Sequence, residues 1–401
     1  MDALLRLTLL ISLTLISFFS SAIQYDINVN STKSSIVDVK ADTQSLGTFQ
    51  VKPSRTAQSD VQPQLTCVTP SGTREIIQFG ENVICDSVNW QLNLAEVDKT
   101  GFDIAAQNDT FSPKDGWYFI SEFNSLPRFS TSKSPEIETL VCPPKGHCET
   151  LPGNTQPPLF LVWGLDSITL TINEKTVTFF SDNPEILASA DQWLPVLSQQ
   201  LKYLSNVFPN APTKSWNIAT FSRDKKAGSV SGAAGSNMIL INLLVDGNTI
   251  NERTLQLMVK IAAHESTHIL GTQHMPMWAA ESIAEYYAYH SINQTRLKTK
   301  TPMQDWQKFK KVFPYAATGL LEASTRVTKE GQYQYYPLFY VKGAAFWQSV
   351  NEALEEKGSN LDSLVNDMSF DKNGHLKASF SRKIVDIIGD EKWTELSDIF
   401  L

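Results

Sequence analysis

Residues 261–285 read IAAHESTHILGTQHMPMWAAESIAE, and inside them lies His264-Glu265-Ser266-Thr267-His268. On a helix, residues four apart share a face, so the His264 and His268 imidazoles can close on one metal ion while Glu265 turns toward the water bound there. These are the parts of a zinc hydrolase site: two ligands for one Zn2+ and a general base beside it. The whole chain has only six histidines, so the pair is not the by-product of a histidine-rich composition.

A catalytic zinc takes three protein ligands and keeps one position open, so a third ligand is required. The sequence offers two. His274 completes His-Glu-x-x-His-x-x-Gly-x-x-His with Gly271, which is the metzincin pattern. Glu281 projects from the next helix, which starts at Met277 behind Pro276 and on which Trp278, Glu281, Glu285 and Ala288 share a face. A metzincin also needs a methionine turn. Met275 and Met277 come too soon for it, and Met303 and Met368 lack the Ser-x-Met context.

The run from Pro276 to Tyr286, PMWAAESIAEY, together with His264-Glu265-Ser266-Thr267-His268, resembles the gluzincin peptidases. It is similar to the branch that holds aminopeptidase N and the glycyl aminopeptidases. Their Trp-x-x-Glu-Gly-x-Ala follows the His-Glu-x-x-His helix, and the resemblance implies Glu281 as third zinc ligand. Tyr340-Val341-Lys342-Gly343-Ala344 resembles the Tyr-x-Lys-Gly-Ala of the same family, which implies that Tyr340 stabilises the transition state. The likeness extends from about Ala188 to the C-terminus. Three departures mark a compact branch. Ser282 stands in place of the family glycine, only residues 269–280 separate His268 from Glu281, and Gly232-Ala233-Ala234-Gly235-Ser236-Asn237 replaces the family's Gly-x-Met-Glu-Asn. Without that carboxylate, recognition of a free substrate amine is not implied.

The remainder of the chain sets the context. Lys and Arg number 34 against 42 Asp and Glu, scattered and with a net charge of −8, which speaks against a nucleic-acid partner. Residues 1–22 read as a secretion signal, with Arg6, an apolar run and Ser20-Ser21-Ala22 at the cleavage site, and no later run is long and apolar enough to span a bilayer. A secreted or periplasmic protein is expected, with no lasting membrane attachment after the signal is removed. Cys67, Cys85, Cys142 and Cys148 then read as two disulfides. Proximity favours Cys67 with Cys85 and Cys142 with Cys148 among three connectivities, and a Cys/His metal site using His147 is the rival. Asn30, Asn108 and Asn293 begin sequons.

Residues 23–60 are rich in Ser, Thr, Asp and Gln and read as a loose leader. Residues 61–182 hold recurring β-prone runs and end in a hairpin turning about Asn173-Glu174-Lys175, which predicts a β-sandwich-like domain. From 183 to 401 helical periodicity dominates, interrupted by strands at Trp216–Phe221 and Asn237–Leu244 with the flexible run 229–236 between them. The expected fold class is α+β: a β-sandwich-like N-terminal domain, then a mostly helical, thermolysin-like catalytic domain with a small sheet. The expected function is a zinc-dependent peptidase acting on peptide or protein substrates. His264, His268 and Glu281 would hold one Zn2+, Glu265 would be the general base, and Tyr340 would face the oxyanion. Glu285 would orient a ligand histidine from behind. The alternatives are a metzincin endopeptidase with His274 as third ligand, and a secreted binding protein that keeps the zinc site as scaffold.

Overall fold

The computed structural model describes residues 22–55, 62–96, 103, 107, 110, 116–211, 215–247, 250–271 and 274–401. Apart from Ala22 the expected signal lies outside them, as does the sequon at Asn108.

Ile23–Val29 (β1) and Ile36–Asp42 (β2) open the chain and bury every second side chain: Ile23, Tyr25 and Ile27, then Val37, Val39 and Ala41. This corrects the reading of 23–60 as a loose leader, because a period of two runs beneath its polar composition. Phe49–Lys52 (β3), Leu65–Val68 (β4), Arg74–Ile77 (β5), Asn82–Val83 (β6) and Ser87–Asn93 (β7) follow. Then come Tyr118–Ser121 (β8), Arg128–Ser130 (β9), Thr139–Cys142 (β10), Glu149–Thr150 (β11) and Phe160–Trp163 (β12). Seven strands form one sheet in the order β11-β10-β1-β2-β7-β4-β5, accompanied by β6-β3-β9 and the pair β12-β8. One core joins Tyr25, Val39 and Trp90 of the large sheet to Phe49, Val51 and Phe129 of the three-stranded one, as two layers of a sandwich require. Cys67 is bonded to Cys85 and Cys142 to Cys148, the pairings that proximity favours, so no thiolate is left to share a metal with His147.

Asp166–Ile172 (β13) and Lys175–Ser181 (β14) form the anticipated hairpin, with Asn173 and Glu174 as a two-residue turn at φ 45° and 66°. Its place differs from expectation. β14 pairs in parallel with Ser215–Asp224 (β15), so the hairpin belongs to the sheet of the second half rather than to the β-rich region drawn over 61–182. That sheet runs β13-β14-β15-β17-β16, where Ser231–Ala234 is β16 and Met238–Val245 is β17. The run 229–236, read as flexible, therefore carries an edge strand. One face of the sheet, with Ile218, Ile239, Ile241 and Leu243, packs under helices, and the other, with Phe221, Met238 and Leu240, packs on Trp117, Phe119 and Phe160. Cover on both faces is why β17, MILINLLV, is apolar almost throughout.

Pro184–Ala188 (α1) and Ala190–Val207 (α2) lie between β14 and β15. After β17 come Glu252–Gly271 (α3), Met277–Asn293 (α4), Pro302–Val312 (α5), Leu320–Thr328 (α6), Pro337–Glu355 (α7), Ala378–Ile388 (α8) and Asp390–Phe400 (α9). The α+β expectation holds, with the sheets concentrated in the first half and the helices in the second. Between α7 and α8, Leu361–Ser363 and Val365–Asp367 are short 3-10 turns. Asn251 caps α3, its Oδ1 accepting from Thr254 N at 3.0 Å.

α4 and α7 cross where Ser282 meets Gly343. The Ser282 hydroxyl is fully buried and donates to Phe339 O at 3.0 Å or to Trp278 O, and a Cβ on Gly343 would overlap its Oγ. The serine of α4 is thus accommodated by the glycine of α7. Gly343→Ala is expected to lower stability by about 1–3 kcal/mol, the cost of overpacking a filled core. Equilibrium urea unfolding would show a lower midpoint at unchanged slope, recovered in part by Ser282→Gly.

Candidate metal centre

α3 and α4 pack side by side and bring the residues of the opening stretch together. His264 Nε2 lies 3.2 Å from His268 Nε2 and 3.2 Å from Glu281 Oε2, and His268 Nε2 lies 3.4 Å from the same oxygen. Ligands about 2.0–2.2 Å from a tetrahedral zinc stand roughly 3.3 Å from one another, so this triangle fits such an ion. Among the described residues these three are the cluster of His, Cys, Asp and Glu side chains able to hold a metal. His274 is not part of it. It is exposed and lines a separate recess of about 240 Å3 with Met275, Leu270 and Asn366.

The electrostatics follow from crowding charges in a buried place. Burial alone would lower the His264 pKa, but hydrogen bonds to the Glu281 and Glu285 carboxylates outweigh it and push it up to about 10 in the metal-free protein. Burial would raise Glu281, and the two imidazoles overcome it and hold the carboxyl well below its ordinary value. Burial would likewise raise Glu285, and Lys260 and His264 hold it down at about 2. An ionised Glu285 only accepts, so the 2.9 Å contact with its Oε2 places a proton on His264 Nδ1 and leaves Nε2 to face the cluster.

Glu265 is buried, and burial raises its pKa against the opposing pull of His264 and His268. Its carboxylate lies over the edge strand: a Cβ on Gly232 of β16 would stand 2.6 Å from Glu265 Oε1 and 2.5 Å from Ile261 Cγ2. The glycine of the supposed flexible run thus gives the carboxylate room against the sheet.

Tyr340 of α7 stacks on His264, with ring centroids 5.4 Å apart and planes at 11°. Burial and the nearby Glu281 raise its pKa, so the phenol keeps its proton. The other members of its motif do different work. Lys342 is buried and donates to Thr318 O at 2.8 Å, away from the cluster, and Gly343 sits in the helix crossing.

Tyr336 was not anticipated. Its hydroxyl donates to Glu281 Oε1 at 3.0 Å and stands 3.4 Å from the Tyr340 hydroxyl. The signal was available, since Tyr336 and Tyr340 are four apart, but it was submerged among Tyr333, Tyr335 and Phe339. Tyr336→Phe removes the donor that holds the second oxygen of Glu281. Its expected effect is a loss of roughly tenfold in zinc affinity, measured by chelator competition.

Fold and cluster define an α+β protein with a His-His-Glu cluster able to hold a metal, on two packed helices beside the edge of a five-stranded sheet. In fold it is similar to the crystal structure of an aminopeptidase N family protein from Idiomarina loihiensis, with a TM-score of 0.59 over 86% of this chain and 69% of that one, at 12% identity. No protein-family model matches the sequence, and no curated protein matches it. None of the described helices is long and apolar enough to cross a membrane.

Proposed function

We propose that the protein is a zinc-dependent peptidase of the gluzincin type that hydrolyses peptide bonds in secreted or periplasmic surroundings. The observation that carries this reading is the triangle of His264 Nε2, His268 Nε2 and Glu281 Oε2, with Glu265 beside it on the turn between the two histidines. The fold likeness to an aminopeptidase N family protein and the two disulfides support the class and the compartment. Among the two third ligands, the geometry favours Glu281 over His274.

When bound, a zinc ion acidifies water and polarises a carbonyl oxygen. The chain's own residues supply the rest. Glu265, with a raised pKa, takes a proton from the attacking water and passes it to the leaving amine. Tyr340, protonated and fixed against His264, donates to the oxygen that gains charge, a contact stronger in the transition state than before it. Glu285 holds His264 by Nδ1, and Tyr336 holds Glu281 by its second oxygen.

The test is hydrolysis of an unfolded protein and of a mixed peptide library by the purified mature chain. Activity abolished by chelator and restored by one equivalent of zinc is the expected result. A chain that binds zinc stoichiometrically yet turns over neither substrate would overturn the peptidase reading in favour of a secreted zinc-bearing binding protein.

A further inference from the structure

α3 and α4 face each other in rungs set four residues apart: His268 with Glu281, His264 with Glu285, and Lys260 with Tyr289. The third rung supplies no ligand. Lys260 Nζ donates to Glu285 Oε1 at 2.5 Å and stands 3.7 Å from the centre of the Tyr289 ring. Tyr289 in turn donates through its hydroxyl to Asp305 Oδ2 of α5 at 2.6 Å. The side chains of Lys260 and Glu285 are 17% and 12% exposed, so the ion pair is largely shielded from water.

We infer that Lys260 is a positioning residue of the metal centre, acting on His264 through Glu285. A glutamate has three rotatable bonds, and one held only at Oε2 could swing away from the ring it supports. Lys260 fixes the other oxygen, which leaves Oε2 aimed at His264 Nδ1 and the ring's Nε2 aimed at the cluster. Lysine is itself a poor anchor, because its long side chain has much rotamer freedom to lose. Here the Tyr289 face holds the ammonium, and Asp305 holds the tyrosine. The position of a metal ligand is thereby tied through four side chains to a third helix. Shielding strengthens the attraction between the two charges, and that attraction offsets the hydration each gives up on burial.

This inference rests on the zinc reading above, and its readout is zinc affinity rather than turnover. Zinc dissociation constants would be measured by chelator competition on the full chain for wild type, Lys260→Met, Lys260→Arg, Glu285→Ala and Lys260→Met/Glu285→Ala. Lys260→Met is expected to weaken zinc binding about 10- to 100-fold, as loss of an outer partner of a ligand does. Lys260→Arg should restore most of the affinity, because a guanidinium can hold the same oxygen. The double variant should bind zinc no more weakly than Glu285→Ala alone, since Lys260 works through that carboxylate. Wild-type affinity in Lys260→Met, with or without a drop in melting temperature, would overturn the inference, and so would independent losses in the double variant. Should the methionine variant not fold, Lys260→Ala removes the donor without placing a long apolar side chain beside Glu285, and wild-type affinity there would overturn it equally. A wild-type chain that binds no zinc would fail the zinc reading itself, an outcome seen before any variant is compared.

Discussion

Glu265→Gln is expected to keep zinc bound at one per chain and to lower the rate of peptide hydrolysis by about 10^2- to 10^4-fold, the usual contribution of a positioned proton carrier. The substitution preserves shape, so the fit of the side chain over Gly232 is unchanged. It removes the ability to take a proton, while the three ligand atoms belong to other residues. Loss of fold would not explain such a result. Burial raises the Glu265 pKa, which means that above this value folding holds a carboxylate where its charged form is disfavoured. A neutral amide does not carry that cost, so the melting temperature should stay the same or rise. The measurement is steady-state hydrolysis beside metal analysis and a thermal scan. Full turnover by the zinc-loaded variant would remove Glu265 from the mechanism. A loss of zinc in parallel with activity would reassign it to metal binding.

How far the sequence could be read depended on whether a property is local. The cluster was legible because four-residue spacing on one helix is a local rule, and Glu281 needed only a second helix placed after Pro276. Tyr336 was not, because its use depends on how α7 lies across α4, and nothing in a run of aromatic residues says which one reaches inward. The same limit hid the purpose of Gly232, whose lack of a side chain reads as flexibility until Glu265 is seen above it. Composition misled in two places. Gln24, Asp26 and Asn28 lie on the outward face of β1, and Asp38, Lys40 and Asp42 on that of β2, where strands of a one-sided sheet are bound to be polar. The hairpin β13–β14 has the same local pattern as the strands before it, and only its parallel partner β15 shows to which sheet it belongs. Ser282 illustrates complementarity: its buried side chain on one helix fills the room that Gly343 leaves on the helix that crosses it.

Glu281→Ala is expected to reduce zinc affinity by more than the 10- to 100-fold that loss of an outer partner costs, whereas His274→Ala should leave it unchanged. Glu281 supplies one corner of a triangle whose sides are 3.2 to 3.4 Å, and it is the only corner carrying negative charge to offset the ion. Its removal also takes away the acceptor of the Tyr336 hydroxyl, which now donates to Glu281 Oε1. The pH dependence should change in a defined sense. In the metal-free protein the Glu281 and Glu285 carboxylates hold the His264 pKa at about 10 against burial, above its ordinary value. The stability this proton provides is fully present below about pH 6.5, the unfolded value, and is lost as pH rises through about 10. A metal must displace the same proton, so apparent zinc affinity should climb with pH over that window, by up to about tenfold per unit. Without Glu281 one of the two carboxylates is gone, the proton is held less tightly, and the climb should end at lower pH. Chelator competition at several pH values would measure both effects. Zinc lost from His274→Ala but kept in Glu281→Ala would exchange the third ligand and turn the site into a metzincin one, leaving Tyr336 and Tyr340 without a role at the metal.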